Sequence, residues 1–162
     1  MPGGSGPVEI ALLPRLPDEG FRAFVRFPRG WSRSEVGHYA VPEEFLVLEG
    51  ELGLNGRTWS AGGYAWIPAW QQRRDLESAT GCLVFAWFAG TPRWLPGEPA
   101  QAASAPDVSF GHWREAPAGR LYEGPEHRTW IDGRRLARLA PQDAPRETLD
   151  LTDFTWRCAA VE

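Results

Sequence analysis

Short segments in which apolar and polar positions alternate dominate the first half of the chain. Residues 21–27 carry an apolar side chain at every second position, which is the period of a half-buried β-strand. The same type of pattern, or a short apolar run, predicts further strands at residues 44–48, 51–54, 57–60, 64–67 and 81–88. We find no convincing amphipathic helix in this part of the chain.

Glycine residues separate these segments and predict tight turns. Gly50 follows one predicted strand, and a Gly62-Gly63 pair follows another. The Asn55-Gly56 pair is the strongest hairpin signal, because both central positions of such a turn need a positive φ. Many short antiparallel strands with frequent turns predict a β-sandwich or a β-barrel.

The composition changes after about residue 90. Four prolines mixed with Ala, Gln and Ser make residues 91–107 typical of an irregular linker or arm. Residues 108–162 are polar and rich in Arg, with strand-like segments around residues 129–131 and 148–158. We therefore expect a barrel at residues 8–90, followed by the linker and by a C-terminal extension that packs on the barrel or on a partner subunit.

Composition narrows the classes of protein that fit. The chain has 162 residues, of which 43% are hydrophobic, so it can bury a core, whereas 18 Gly and 15 Pro disfavour a long helical bundle. All 17 cationic side chains are Arg, which excludes chemistry that needs a Schiff-base or P-loop lysine. The net charge of −4 argues against nucleic acid and anionic membranes as partners.

Cysteine content and the N-terminal segment indicate a compartment. The two cysteines, Cys82 and Cys158, form neither a disulfide framework nor a zinc knuckle. The first residues lack the apolar region of a signal peptide, and the longest apolar run, residues 82–89, is too short to span a bilayer. We expect a cytoplasmic protein.

Two segments combine chemically distinctive residues at defined spacing. In GHYAVPEEFLVLEG, Glu43 and Gly50 are separated by six residues, and His38 precedes Glu43 with four residues between them. In AGGYAWIPAW, five residues separate Gly62 from Pro68. These segments resemble the two motifs of the cupin superfamily, and are most similar to cupin domains related to zinc-binding anti-sigma factors.

The resemblance covers residues 8–90, about half of the chain. It implies an all-β fold, a cupin-type double-stranded β-helix or jelly-roll barrel, here with additional C-terminal strands or an arm. It also implies a homodimer.

The departures from the cupin motifs concern the metal ligands. In the superfamily two histidines and a glutamate of the first motif and a histidine of the second hold the metal. Here Val36 stands at the first histidine position and Arg73 at the last, while Trp70 stands at a motif glycine. A guanidinium does not bind a metal ion and repels it.

Only His38 and Glu43 keep their ligand types, and a first-row metal usually needs three protein ligands. We therefore expect a pocket without a metal or another cofactor. A metal would need substitute ligands from the following residues: Gln71, Gln72, Asp75, His112 and His127.

Strand alternation places Glu43, Phe45 and Val47 on one face, which the resemblance identifies as the barrel interior. Two interpretations of Glu43 stay open: it forms an acid–base pair with His38, or it forms a structural salt bridge with Arg73 or His38. Arg73 in turn either binds a ligand carboxylate or phosphate, or neutralises Glu43.

The nine tryptophans fit aromatic walls around a ligand, although core filling is the preferred explanation for Trp31, Trp59 and Trp87. Trp66 and Trp70 flank the second-motif proline and are candidates for ligand contact, together with Tyr64, Phe45 and Arg73.

The sequence therefore predicts a cupin-like protein that binds a small organic ligand in the barrel. One alternative is a metal-free isomerase, cyclase or lyase that uses His38 and Glu43 as acid and base, and another is a metal-dependent enzyme with unusual ligands. Whether the protein is an enzyme stays open at this point.

Overall fold

The computed structural model describes residues 3–14, 20–100, 109–112, 118–124, 127–139 and 145–158. The chain forms two compact units, Met1–Val108 and Ser109–Glu162. Throughout the described ranges the secondary structure is β, and they contain no helix with the length and apolar character needed to cross a membrane.

The described part of the first unit contains ten strands: β1 Glu9–Leu12, β2 Phe21–Phe27, β3 Trp31–Arg33, β4 Gly37–Tyr39, β5 Glu43–Leu54, β6 Arg57–Ser60, β7 Gly63–Ile67, β8 Leu76–Ser78, β9 Cys82–Phe88 and β10 Trp94–Pro96. The second unit has six within its described residues: β11 Ser109–His112, β12 Ala118–Glu123, β13 Arg128–Asp132, β14 Arg135–Leu139, β15 Pro145–Asp150 and β16 Trp156–Cys158. The strand predicted at residues 21–27 is confirmed by β2, and those predicted near residues 57–60, 64–67 and 81–88 are confirmed by β6, β7 and β9.

Two antiparallel sheets, joined by β5, build the first unit. One sheet has the order β1-β2-β9-β5-β7, and in the other β5 pairs with β6 and β8 while β8 also pairs with β3. A short two-stranded ladder of β4 and β10 completes the unit. All of these pairings are antiparallel, so the all-β barrel expected from the turn pattern is confirmed.

Strand β5 is longer than the sequence pattern predicts. We expected a strand to end at Gly50, but β5 runs through it from Glu43 to Leu54. Gly50 has φ +71°, and the register of β5 against β9 shifts between Val47 and Glu49. The bulge and the positive φ bend the strand, so its first half belongs to one sheet and its second half to the other.

The hairpin predicted at Asn55-Gly56 is confirmed. Asn55 has φ +54° and Gly56 has φ +74°, and Leu54 pairs with Arg57 across the turn. Two positive φ values are those of a type I′ turn, whose twist matches the twist of the flanking strands.

The apolar core lies between the two sheets. Alternate residues of β2, β5 and β9 point into it, because side chains of successive strand residues face opposite sides. Val25 pairs with Val84, and Phe45 pairs with Ala86, on this inner face. The second sheet contributes Leu52, Leu54, Trp59, Leu76 and Trp31.

Part of the predicted linker has regular structure. Strand β10 pairs with β4 in the register Trp94 with Tyr39, Leu95 with His38 and Pro96 with Gly37. Residues 101–107 of the expected linker lie outside the described residues. Strand β10 thereby brings the Trp94 ring into contact with Tyr39 of β4.

The second unit contains a five-stranded antiparallel sheet in sequential order, β12-β13-β14-β15-β16. Ile131, Leu136 and Leu149 are fully buried on one face. On the same face Arg138 pairs with the buried Glu147, whose carboxylate also accepts a hydrogen bond of 3.0 Å from Trp156 Nε1. The strands expected near residues 129–131 and 148–158 are thus present.

Candidate ligand-binding site inside the barrel

A small cavity opens into the core of the first unit. Its volume is about 50 Å³ for water-sized molecules, and about 490 Å³ when all empty space up to the open mouth is counted. Most of its wall is apolar and consists of Val25, Phe27, Phe45, Leu52, Leu54, Leu76, Val84, Ala86 and Phe88. The polar lining consists of Arg33, Tyr39, Glu43 and Arg73.

The strands determine where these four polar side chains lie. Arg33 ends β3, Tyr39 ends β4, and Glu43 begins β5 on the same strand face as Phe45. Arg73 lies in the segment between β7 and β8 and forms an isolated antiparallel bridge with Gly37. Backbone hydrogen bonds of 2.8 and 3.1 Å in both directions fix this bridge, so the position of the Arg73 side chain is determined by the barrel wall.

Glu43 and Arg73 form a buried ion pair. Arg73 donates a hydrogen bond from Nη1 to Oε2 of Glu43, and the two side chains are 4% and 13% exposed. The guanidinium carbon of Arg73 also lies 4.8 Å from the ring centroid of Tyr39. Of the partners considered for Glu43, the structure thus places Arg73 in contact with it.

Arg33 is a second cation at the cavity, and the sequence analysis did not identify it. Its residue is 2% exposed, and its guanidinium carbon lies 3.5 Å from the ring centroid of Trp94 in β10. Stacking on an aromatic ring is a common way to hold a buried guanidinium. No motif marks this arginine, because it is brought to the site by strand pairing alone.

Both arginines keep donor atoms that are buried without a partner among the described residues. These atoms are Nε and Nη1 of Arg33 and Nε and Nη2 of Arg73. Buried polar groups are nearly always hydrogen-bonded, and an unpaired one costs free energy, more so when it is charged. These four donors belong to two arginines that line one cavity, so Arg33 and Arg73 are the candidate ligand-binding groups of the site.

The pKa values of Glu43 and Tyr39 are both raised above their ordinary values. Burial raises the pKa of Glu43 above 4.5, although the charges of Arg73 and Arg33 oppose this shift. Burial, and next the negative charge of Glu43, raise the pKa of Tyr39 above 10. Tyr39 is therefore a neutral phenol near neutral pH, and Glu43 holds its proton to a higher pH than an exposed glutamate does.

His38 lies beside the cavity wall and does not line the cavity. Its Nδ1 is 3.3 Å from the carbonyl oxygen of Gly97, and its ring is 5.4 Å from that of Trp70. Neighbouring residues of a strand face opposite sides, so Tyr39 occupies the interior position that the resemblance gave to His38. Three residues separate Tyr39 from Glu43, whereas four separate His38 from Glu43. A spacing of three residues before Glu43 would have assigned Tyr39, instead of His38, to the interior position.

The aromatic residues that we expected to contact a ligand divide between the two faces of the wall. Phe45 lines the cavity. Tyr64 pairs with Leu46, and Trp66 pairs with Glu44, so both belong to the face opposite Phe45. Trp70 contacts His38 and has φ +65°, a left-handed conformation that suits the glycine usual at this motif position.

The residues at the cavity do not fit a metal ion. The described lining residues offer one carboxylate, that of Glu43, which already forms an ion pair with Arg73. They also include two permanent cations, Arg33 and Arg73, which repel a metal ion. Across the described ranges no group of three or more His, Cys, Asp or Glu side chains is placed to hold a metal. Of the suggested substitutes, Asp75 is exposed, Gln71 and Gln72 are not among the cavity-lining residues, and His112 and His127 belong to the second unit.

Comparison with known proteins shows the fold. No family model and no curated protein sequence matches the chain. Among solved structures, a candidate dioxygenase from Nostoc punctiforme matches with a TM-score of 0.62 and 15% identity over 83% of this chain and 52% of that one. An acetylacetone dioxygenase from Acinetobacter johnsonii matches with a TM-score of 0.51 and 18% identity over 70% of this chain and 76% of that one. Protein YlbA from E. coli matches with a TM-score of 0.50 and 15% identity over 88% and 60%.

These proteins share a cupin architecture, and the likeness, together with the two spaced motifs, shows that the chain has the cupin fold. The chain spans about half the length of the Nostoc protein. At such identities the likeness concerns the fold alone. The finer resemblance to anti-sigma cupin domains stays a prediction.

Proposed function

We propose that the first unit binds a small organic anion inside the cupin barrel. Arg33 and Arg73 are the residues that bind the anion, and no metal ion takes part. The observation that carries the proposal is the set of unpartnered guanidinium donors at a mostly apolar cavity. Ligand pockets are commonly apolar with a few polar groups that fix the orientation, and arginine is the side chain best suited to carboxylates and phosphates.

Charge supports the same proposal. Arg33 and Arg73 are both at least 97% buried, while Glu43 supplies a single negative charge at the cavity. A buried cation without a counter-charge destabilises a protein strongly, and an anion in the cavity removes that cost. A neutral ligand would leave the excess charge in place.

The activities named for two structural neighbours support only a general point about which molecules a cupin barrel can hold. Two solved structures that match the chain, from Acinetobacter johnsonii and Methylibium petroleiphilum, are named as acetylacetone dioxygenases, the second as a candidate. Their activity is not carried to this chain, because its cavity has guanidinium groups where a metal would need ligands. We retain from them only that a cupin barrel of this shape accommodates small oxygen-containing organic molecules.

Calorimetric titration with butyrate, benzoate and inorganic phosphate tests the proposal. We expect at least one anion to bind, and Arg33→Met and Arg73→Met each to weaken it by about 10- to 100-fold. Arg26→Met is the matched control, because Arg26 forms an exposed pair with Glu49 away from the cavity lining. Circular dichroism verifies that each variant is folded, and Arg→Lys variants replace any that is not.

Equal binding by the wild type and both cavity variants would overturn the proposal, as would the absence of binding by every anion in the series. The Arg→Lys variants sharpen this comparison. They keep the charge but lose the planar arrangement of donors, so we expect intermediate affinity.

Acid–base catalysis on the bound molecule is a second candidate function, favoured by one observation. Glu43 lines the cavity, and its burial raises its pKa, which is the direction that favours proton transfer by a carboxyl group. An isomerase, cyclase or lyase activity would then depend on Glu43, with Tyr39 beside it and with no contribution from His38 at the reacting atoms. Loss of turnover and of its pH dependence in Glu43→Gln would identify such an enzyme.

A further inference from the structure

We infer that the ligand is a monocarboxylate with a short apolar body, bound by its carboxylate between Arg33 and Arg73. The inference rests on the proposed function and names the class of molecule that the site selects. It follows from three properties of the cavity: its net charge, the positions of its free donors, and its size.

The charges at the cavity leave room for one negative charge. Arg33 and Arg73 contribute two positive charges, Glu43 contributes one negative charge when ionised, and Tyr39 is neutral. No other ionisable side chain among the described residues lines the cavity. A monoanion therefore neutralises the site, whereas a dianion brings an additional buried charge without a partner, which is unfavourable.

The free donors match a carboxylate. Arg73 uses Nη1 for Glu43, so its Nε and Nη2, which form one edge of the guanidinium, stay available. Two parallel N–H groups on such an edge bind the two oxygens of a carboxylate. Arg33 adds Nε and Nη1 from another strand. Glu43 thus occupies one side of Arg73 and leaves the carboxylate-binding edge free.

The remaining wall suits a hydrocarbon body of limited length. Beyond the four polar side chains the lining is apolar, with Phe45, Val25 and Val84 among its members. The cavity of about 50 Å³ holds roughly four water molecules, which corresponds to an acid of about three to five carbon atoms. A second carboxylate or a hydroxyl at the far end of the ligand would meet no polar partner among the lining residues.

A series of molecules with equal carbon number tests the inference. Butyrate, butyramide and succinate are titrated into the wild-type protein by calorimetry at mildly alkaline pH, in a buffer that contains no carboxylate. We expect butyrate to bind, butyramide to bind about 100-fold more weakly, and succinate about 10-fold more weakly. The amide keeps the shape of the acid and removes its charge, and succinate keeps the length and adds a charge.

Glu43→Gln provides the decisive variant. It keeps the size of the side chain and raises the net positive charge of the cavity to two, so we expect the preference to reverse in favour of succinate. Glu49→Gln is the matched control, because Glu49 is half exposed and pairs with Arg26, and this variant retains the wild-type preference. If Glu43→Gln does not fold, Glu43→Ala, which also removes the charge of Glu43, is tested for the same reversal.

If succinate binds as tightly as butyrate to the wild type, the inference is wrong while the proposed function stands. If no acid of the series, and neither benzoate nor phosphate, binds, the proposed function itself is wrong.

Discussion

The guanidinium of Arg33 lies over the indole ring of Trp94, with 3.5 Å between its central carbon and the ring centroid. The contact joins β3 to β10, and the indole is held in place because its Nε1 donates a hydrogen bond of 2.7 Å to Glu35 Oε2. Trp94 also contacts Tyr39 edge-on, at 5.3 Å between ring centroids. A strand from the predicted linker thus supplies the aromatic support of a cationic group at the cavity.

Replacing Trp94 should therefore impair both stability and binding. We expect Trp94→Leu to lower the free energy of unfolding by about 1–3 kcal/mol, through loss of the cation–π contact and of ring packing. Affinity for a carboxylate should fall as Arg33 loses its fixed position. Urea unfolding and calorimetric titration measure the two effects. Trp94→Phe keeps a ring and serves as the control, and a Leu variant as stable as the Phe variant would contradict the prediction.

The ion pair of Glu43 and Arg73 should behave as a coupled unit. Arg73→Met leaves a buried carboxylate without its partner, and we expect a loss of about 3–5 kcal/mol in the free energy of unfolding. The double variant Arg73→Met/Glu43→Gln should cost less than the sum of the single variants, because it removes both charges. Urea unfolding of all four proteins gives the coupling free energy.

The exposed pair of Arg26 and Glu49 is the reference for that cycle. Its atoms are 3.1 Å apart and both side chains are 49% exposed, so Arg26→Met should change stability by less than about 1 kcal/mol. Equal effects of Arg26→Met and Arg73→Met would mean that burial does not strengthen the pair in the barrel.

How much of this site the sequence could predict depends on the kind of signal each residue carries. Glu43 and Arg73 were identified because each stands at a position of a spaced motif, and the structure brings them into contact. Arg33 and Trp94 belong to no motif, and the pairing of β3 with β8 and of β4 with β10 brings Arg33 to the cavity and Trp94 against Arg33. Long-range strand pairing is not encoded in local spacing, so these two residues could not be found.

His38 and Tyr39 illustrate a different limit. A shift of one residue in the register of a strand exchanges the two faces, so a small uncertainty in spacing exchanges a histidine for a tyrosine at the cavity. The fold itself was accessible, because the Gly turns and the alternation of β2 are local properties. The length of β5 was not, since its continuation past Gly50 depends on pairing with two different sheets.

The stability contributed by Glu43 should depend on pH in a defined direction. Its pKa in the folded state is raised above 4.5, so the folded state binds the proton more tightly than the unfolded state. Stability is then greatest below the ordinary pKa and declines as the pH rises through the raised one. We expect the free energy of unfolding of the wild type, relative to Glu43→Gln, to decrease over the pH range that begins at 4.5 and extends upward through the raised pKa.

Urea titrations across this pH range measure that difference, and Glu49→Gln shows the behaviour of an exposed carboxylate. A wild-type stability that rises relative to Glu43→Gln with increasing pH would mean that the two arginines outweigh burial and lower the pKa of Glu43.

Metal content should be far below one ion per chain. Arg73 stands at a ligand position of the cupin motif and donates a hydrogen bond to the one carboxylate among the described lining residues, which therefore offer a divalent ion neither negative charge nor free ligands. Elemental mass spectrometry of the purified protein, with and without added Zn²⁺, Fe²⁺, Mn²⁺ or Ni²⁺, measures this. The affinity for butyrate should also be unchanged by a chelator. Stoichiometric metal that is lost in Glu43→Gln would contradict the proposed site.

Gly50 should be far more sensitive to substitution than Gly56, although both have similar backbone angles. Gly50 has φ +71° and Gly56 has φ +74°, so an alanine at either position pays about 1 kcal/mol for the left-handed conformation. A Cβ at Gly50 would lie 1.9 Å from the carbonyl oxygen of Gly81, where β9 begins, whereas a Cβ at Gly56 would meet nothing within 4 Å. Because the clashing carbonyl oxygen belongs to the backbone of Gly81, no side chain can move to relieve the clash. Gly50→Ala must therefore displace the bend of β5 that joins the two sheets.

We expect Gly56→Ala to lower the free energy of unfolding by about 1 kcal/mol and Gly50→Ala by several times that amount, measured by urea unfolding. Equal effects of the two variants would show that the close approach of β5 to β9 does not constrain Gly50.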